Sequence, residues 1–152
     1  NLHVCFYSVL VSFYLLIPIT ILVNGYEHIF FDLDRTLWDF ETNSRQTLSE
    51  LFLKYKLHER GIDSIDIFNT IYYRINERMW EEYRKGLINK ITLRHERFHE
   101  ALLKFSIEDR ALTEAISNDY IHNSPLKTNL FPHTLDVLKY LDEKYQLHII
   151  LE

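Results

Sequence analysis

Ile29-Phe30-Phe31-Asp32-Leu33-Asp34-Arg35-Thr36-Leu37-Trp38 drives a short apolar and aromatic run straight into two carboxylates with one residue between them. A run of this kind from His28 to Leu33 reads as a strand buried on both faces. Side chains at i and i+2 of a strand project to the same side, so Asp32 and Asp34 are expected to converge where the strand runs out. Two carboxylates aimed at one point make a place for a hard cation. Magnesium takes oxygen ligands and keeps several waters, so one or two acids and a substrate phosphate suffice to hold it.

Outward from that stretch, helical patterns dominate. Asn43 or Ser44 is expected to cap a helix carrying Leu48, Leu51, Phe52 and Tyr55, with Gly61 as its stop. Ser64 opens a second, with Ile67, Ile71, Ile75 and Met79 spaced four apart and running towards Gly86. Thr92 begins a third with Phe98, Leu102 and Phe105, and Ser106 a fourth burying Leu112, Ala115 and Ile116. After Pro125 and Pro132 a last helix, with Leu135, Leu138 and Leu141, leads into a second buried-strand run, Leu147-His148-Ile149-Ile150-Leu151. Two strands separated by more than a hundred residues fit a parallel pair with a large helical insertion. A two-stranded sheet is marginal alone, so the chain is expected to be the front part of an α/β domain.

The 152 residues are 47% hydrophobic and 26% charged, a globular composition of one-domain length. The net charge of −5 comes from interspersed acids and bases, which argues against a nucleic-acid partner. Three glycines are too few for Gly-rich nucleotide loops of the Walker or dinucleotide type. The single cysteine, Cys5, forms no intramolecular disulfide and suits a reducing compartment. Residues 2–23 are apolar and long enough to span a bilayer, so membrane association is open through that stretch only. The first Lys or Arg is Arg35, which leaves the stretch without the basic flank of a secretory signal. The preferred reading places the start of the soluble domain near residues 24–27, with the apolar extension 1–24 foreign to it.

Phe30-Phe-Asp-Leu-Asp-Arg-Thr-Leu-Trp-Asp39 resembles the first motif of haloacid dehalogenase (HAD) superfamily phosphatases, an apolar strand followed by Asp-X-Asp-X-Thr and an aliphatic residue. The resemblance implies a partial HAD-like Rossmannoid parallel sheet, residues 25–42 and 127–152, with an inserted helical cap, residues 43–126. It implies that Asp32 is the nucleophile that becomes an aspartyl-phosphate and a Mg2+ ligand. Asp34 would be the general acid/base and bind the metal through its backbone carbonyl, and Leu33, Asp34 and Thr36 would shape the phosphate site. An acid at position 34 favours phosphoryl transfer over carbon–halogen cleavage. Arg35 stands where the motif commonly has glycine and leaves both acids intact. Trp38-Asp-Phe40, Trp80-Glu-Glu-Tyr83, Gly86 and Thr92-Leu-Arg-His-Glu-Arg-Phe98 are similar to pyrimidine 5′-nucleotidases. The implied substrate is a small phosphomonoester, a nucleoside 5′-monophosphate, and the implied compartment is the cytoplasm. Since the second-motif Thr or Ser, the third-motif Lys and the fourth-motif acids do not occur up to Glu152, this stretch by itself is expected to be inactive. A non-catalytic or membrane-tethered remnant acting as a binding module is the other reading.

Two further signals compete. His95-Glu96-Arg97-Phe98-His99 matches His-Glu-X-X-His, but Leu102 and Phe105 stand where the extended zinc-protease pattern needs Gly and His. Tyr72, Tyr73, Trp80 and Tyr83 fit either helix packing, the default, or stacking on a nucleobase.

Overall fold

The computed structural model of the chain describes residues 25–150, and the apolar stretch 2–23 lies outside them. Strand β1, His28–Asp32, pairs in parallel with β2, Gln146–Ile150, in a register that sets Phe30 beside His148 and Asp32 beside Ile150. The chain between them is helical: α1 Phe40–Lys54, a 3-10 turn Leu57–Arg60, α2 Ile65–Arg84, α3 Lys90–Leu103, α4 Arg110–Asn123, a 3-10 turn Ser124–Leu126 and α5 Thr134–Asp142. This is the α/β arrangement expected from the two strand runs and the long helical insertion.

Several helix starts differ from the sequence reading. Asp39 caps α1, accepting the Thr42 N–H at 3.0 Å, so the helix begins before Asn43 and Ser44, which are buried inside it. Asn89 and Asp109, not Thr92 and Ser106, cap α3 and α4. Their side-chain oxygens accept the N–H groups of Thr92 and Leu112, three residues on, at 2.8 and 2.9 Å. Ser64 caps α2 as expected. The four-residue spacing from Ile67 drifts about 40° per step on a helix of 3.6 residues per turn. Ile67 is therefore exposed while Phe68, Tyr72, Ile75 and Met79 face inward.

α1 to α4 share one core, in which Phe52, Phe68, Tyr72, Phe98 and Tyr120 meet ring to ring at 4.8–6.3 Å. Arg97 is buried among them, its guanidinium 5.0 Å from the Tyr120 centroid and 5.3 Å from that of Phe98, and it donates to Asn76 Oδ1 at 2.8 Å. The π faces supply the negative potential that a carboxylate would otherwise provide.

The sheet departs from expectation. Neither strand is buried on both faces: Phe30 is 53% and Ile149 58% exposed. Two strands with one neighbouring helix cannot cover two faces of a sheet, and α5 lies along β2. Among the described residues no helix is long and apolar enough to cross a membrane.

Candidate active site

Asp32 is the last residue of β1 and lies exposed at the carboxyl end of the two parallel strands. The chain then closes a tight turn around the Leu33 carbonyl, which accepts the N–H groups of Thr36, Leu37 and Trp38 at 3.4, 3.0 and 2.9 Å. With its carbonyl consumed there, Leu33 serves as the pivot of the turn. Thr36 Oγ1 donates to Asp32 Oδ2 at 3.5 Å, a long contact that joins the first and last polar members of the motif.

Asp34 holds its proton more tightly than an ordinary carboxyl. Partial desolvation within the turn is the first cause, even though the residue keeps an exposed edge, and the neighbouring charge of Asp32 is the second. Arg35 opposes the shift and Glu41 adds to it. Asp32 and Asp34 are thus within electrostatic reach of one another, and the fold gathers Asp32, Leu33, Asp34 and Thr36 into one turn.

That turn is tied to the helices by two antiparallel connecting segments, one leading out and one returning. Phe131 N donates to Leu37 O at 3.1 Å, Asp39 N to Asn129 O at 3.0 Å, and the Trp38 indole N–H to Lys127 O at 2.8 Å. Asn43, fully buried, clasps the return segment. Its Nδ2 donates to Asn129 O at 2.8 Å, while its Oδ1 accepts from Asn129 N and Nδ2 at 3.0 and 2.7 Å. Lys127 reaches both carboxylate oxygens of Glu50 at 2.6 and 2.7 Å. The sequence places Asn43 or Ser44 at a helix cap and gives no sign of Asn129. An Asn in the second turn of a helix competes with the backbone unless something outside the helix uses its amide, and that was the available signal.

The other candidate residues lie elsewhere. On α3, His99 is buried and Glu96 pairs with Arg110 at 2.6 Å. Tyr72 belongs to the aromatic core, Tyr73 donates to Ser44 Oγ at 3.3 Å, and Trp80 and Tyr83, 5.7 Å apart edge to face, are only half-buried.

Two carboxylates and the backbone of the turn are oxygen donors, the set a magnesium ion accepts with waters filling its remaining positions. Among the described residues no group of three or more His, Cys, Asp or Glu side chains converges for a metal, so the acids present fit the ion as a partial shell.

The two parallel strands, the turn after the first and the helical insertion form a mixed α/β fold similar to that of HAD hydrolases, and in sequence the chain is similar to pyrimidine 5′-nucleotidases. Over 93 residues, 61% of the chain, it is 32% identical to the pyrimidine 5′-nucleotidase YjjG of Escherichia coli (strain K12). Over 83 residues, 55% of the chain, it is 30% identical to the pyrimidine 5′-nucleotidase PynA of Streptococcus pneumoniae (strain ATCC BAA-255 / R6). These matches span 38% and 33% of the two relatives, so the chain corresponds to well under half of their length. Among solved structures, that of YfnB from Bacillus subtilis, assigned as a HAD-hydrolase and crystallised with magnesium, superposes with a TM-score of 0.71. That similarity has 21% sequence identity and covers 82% of the chain and 52% of YfnB. No family model matches the chain.

Proposed function

We propose that the site belongs to a magnesium-dependent phosphatase of nucleoside 5′-monophosphates, pyrimidine type, working through an aspartyl-phosphate. The observation that carries this reading is the placement of Asp32 at the end of a parallel strand, with Asp34 in the following turn and its proton affinity raised. Resemblance to two pyrimidine 5′-nucleotidases supports the substrate class.

In this mechanism an Asp32 carboxylate oxygen attacks phosphorus and the bond from phosphorus to the nucleoside oxygen breaks. Asp34, which holds a proton more readily than an ordinary aspartate, gives it to the leaving alkoxide. A water then attacks the phosphoryl group on Asp32, Asp34 takes the water proton, the bond from phosphorus to the Asp32 oxygen breaks, and inorganic phosphate leaves with the Asp32 carboxylate restored. Thr36 orients the nucleophile through its hydroxyl. Asp32 and Asp34 would hold the magnesium ion, which supplies positive charge against the phosphate when bound. In this reading residues 43–126 are the cap over this site, and Trp80 and Tyr83, packed against the helical core but only half-buried, are its candidate aromatics for a base.

The test is magnesium-dependent release of phosphate from UMP, CMP and dTMP by the protein and by its Asp32→Asn variant. The 152-residue stretch alone is expected to turn over slowly if at all, and any turnover present should fall at least about a thousandfold in the variant, the scale on which loss of a catalytic unit is felt. Turnover that survives Asp32→Asn refutes the assignment.

A further inference from the structure

We propose that Arg35 is a phosphate-binding residue of this site, presenting a guanidinium oriented by Glu41 and Phe40 to the dianion that Asp32 attacks. The inference rests on reading the site as a phosphoryl-transfer centre, and it adds the cation that such a centre needs.

Arg35 sits between Asp34 and Thr36 with φ of 61°, the left-handed region that glycine enters freely and arginine seldom does. A non-glycine residue kept there is a reason to look for a function. Its N–H donates to Trp38 O at 3.0 Å, so the backbone of the turn fixes where the side chain leaves. Nε donates to Glu41 Oε1 at 2.6 Å, and the guanidinium carbon stands 5.3 Å from the Phe40 ring centroid. Those two contacts set the plane of the group. Among the described residues its two terminal nitrogens have no partner, and the side chain is 66% exposed. An edge of two N–H donors, held in place and open to solvent, matches the bidentate recognition of phosphate.

Charge points the same way. Asp32, Asp34, Asp39 and Glu41 crowd the turn and the start of α1, so a phosphomonoester dianion would meet repulsion unless a cation stood among them. Arg35 lies between Asp34 and Thr36 in the turn that follows Asp32, so its backbone is part of the same turn as the acids. An exposed Arg–Glu pair contributes little to stability, so the pair alone gives no reason for arginine at a left-handed position.

Binding of inorganic phosphate in magnesium buffer, measured by isothermal titration calorimetry, tests the inference on the protein and on Arg35→Gly, Arg35→Lys and Glu41→Gln. Glycine accepts the local φ, so Arg35→Gly keeps the turn, which circular dichroism and the unfolding midpoint verify. We expect Arg35→Gly to weaken phosphate binding by about tenfold or more, the worth of a hydrogen bond to a charged group. Arg35→Lys should fall between, and Glu41→Gln should stay within about threefold of the parent because the guanidinium remains. Equal affinity in Arg35→Gly overturns the inference and leaves the phosphatase reading intact. So does a loss in Glu41→Gln as large as that in Arg35→Gly, which would show that the pair acts as a strut. Failure of the unsubstituted protein to bind phosphate overturns both.

Discussion

Asn43 shows how one buried amide can matter more than its place in a helix suggests. It satisfies the backbone N–H and C=O of Asn129 as well as that residue's side chain, standing in for a strand that the return segment lacks. Asn43→Ala would leave the Asn129 N–H without its partner, while the Asn129 C=O keeps the Asp39 N–H and the Asn129 side chain keeps Gln46 Oε1, at about 1–3 kcal/mol for the buried group left unmade. The expected loss in a urea titration is about 1–3 kcal/mol with an unchanged m-value. A loss below about 0.5 kcal/mol would mean that water replaces the clasp. Asp32, Asp34 and Thr36 were legible in the sequence because their spacing is itself the motif. Asn43 was legible only as a polar residue near a helix start. Its partner lies 86 positions away, and no local pattern points to it.

At the level of the element, α1 carries the link between the turn and the helical insertion, and Asp39 starts it. The Thr42 hydroxyl first, then the Thr42 backbone N–H, hold the Asp39 carboxyl below its ordinary value of 3.8. A carboxylate whose folded pKa is lowered contributes stability above its unfolded value, and that contribution is lost as pH falls through the folded one. Asp39→Ala is therefore expected to cost about 1 kcal/mol at pH 7 and progressively less below pH 3.8, which chemical unfolding at the two ends of that range would measure. An equal cost at both ends would show that the charge of the cap is irrelevant. Helix existence was readable from apolar spacing, but three of the starts were displaced by three to five residues. Ser, Thr, Asn and Asp all cap acceptably, and the packing of the following turns chooses among them.

Across the whole molecule, apolar burial is unevenly spread. Leu48, Phe98, Ala101 and Leu102 are completely buried within the helical insertion, whereas Phe30, Ile149 and Ile150 of the sheet remain substantially exposed. Local opening is easiest where few apolar contacts are lost. Amide hydrogen exchange should therefore find its slowest protons on α2 and α3, around Tyr72 and Phe98, and faster ones along β1 and β2. The reverse order, with the strands outlasting α3, would contradict this account of where stability resides. Acidification should also weaken the ties between elements. Lys127 and, less strongly, Gln46 hold Glu50 below its ordinary range, and Lys54 and Tyr55 do the same for Asp119. Both acids lose that contribution as pH falls through their folded values.

The sequence by itself determined what depends on neighbours along the chain. The apolar strand that ends at Asp32, the polar turn that follows it and the helical spacing from Leu48 to Ile116 all arise within a few residues. Tertiary structure alone decided what depends on distant segments meeting. It closed the Asn43–Asn129 clasp and set Arg97 of α3 among aromatic rings that include Tyr72 of α2 and Tyr120 of α4. It also left the sheet faces open. Burial is a property of what packs on a strand, and the residues of the strand do not specify that.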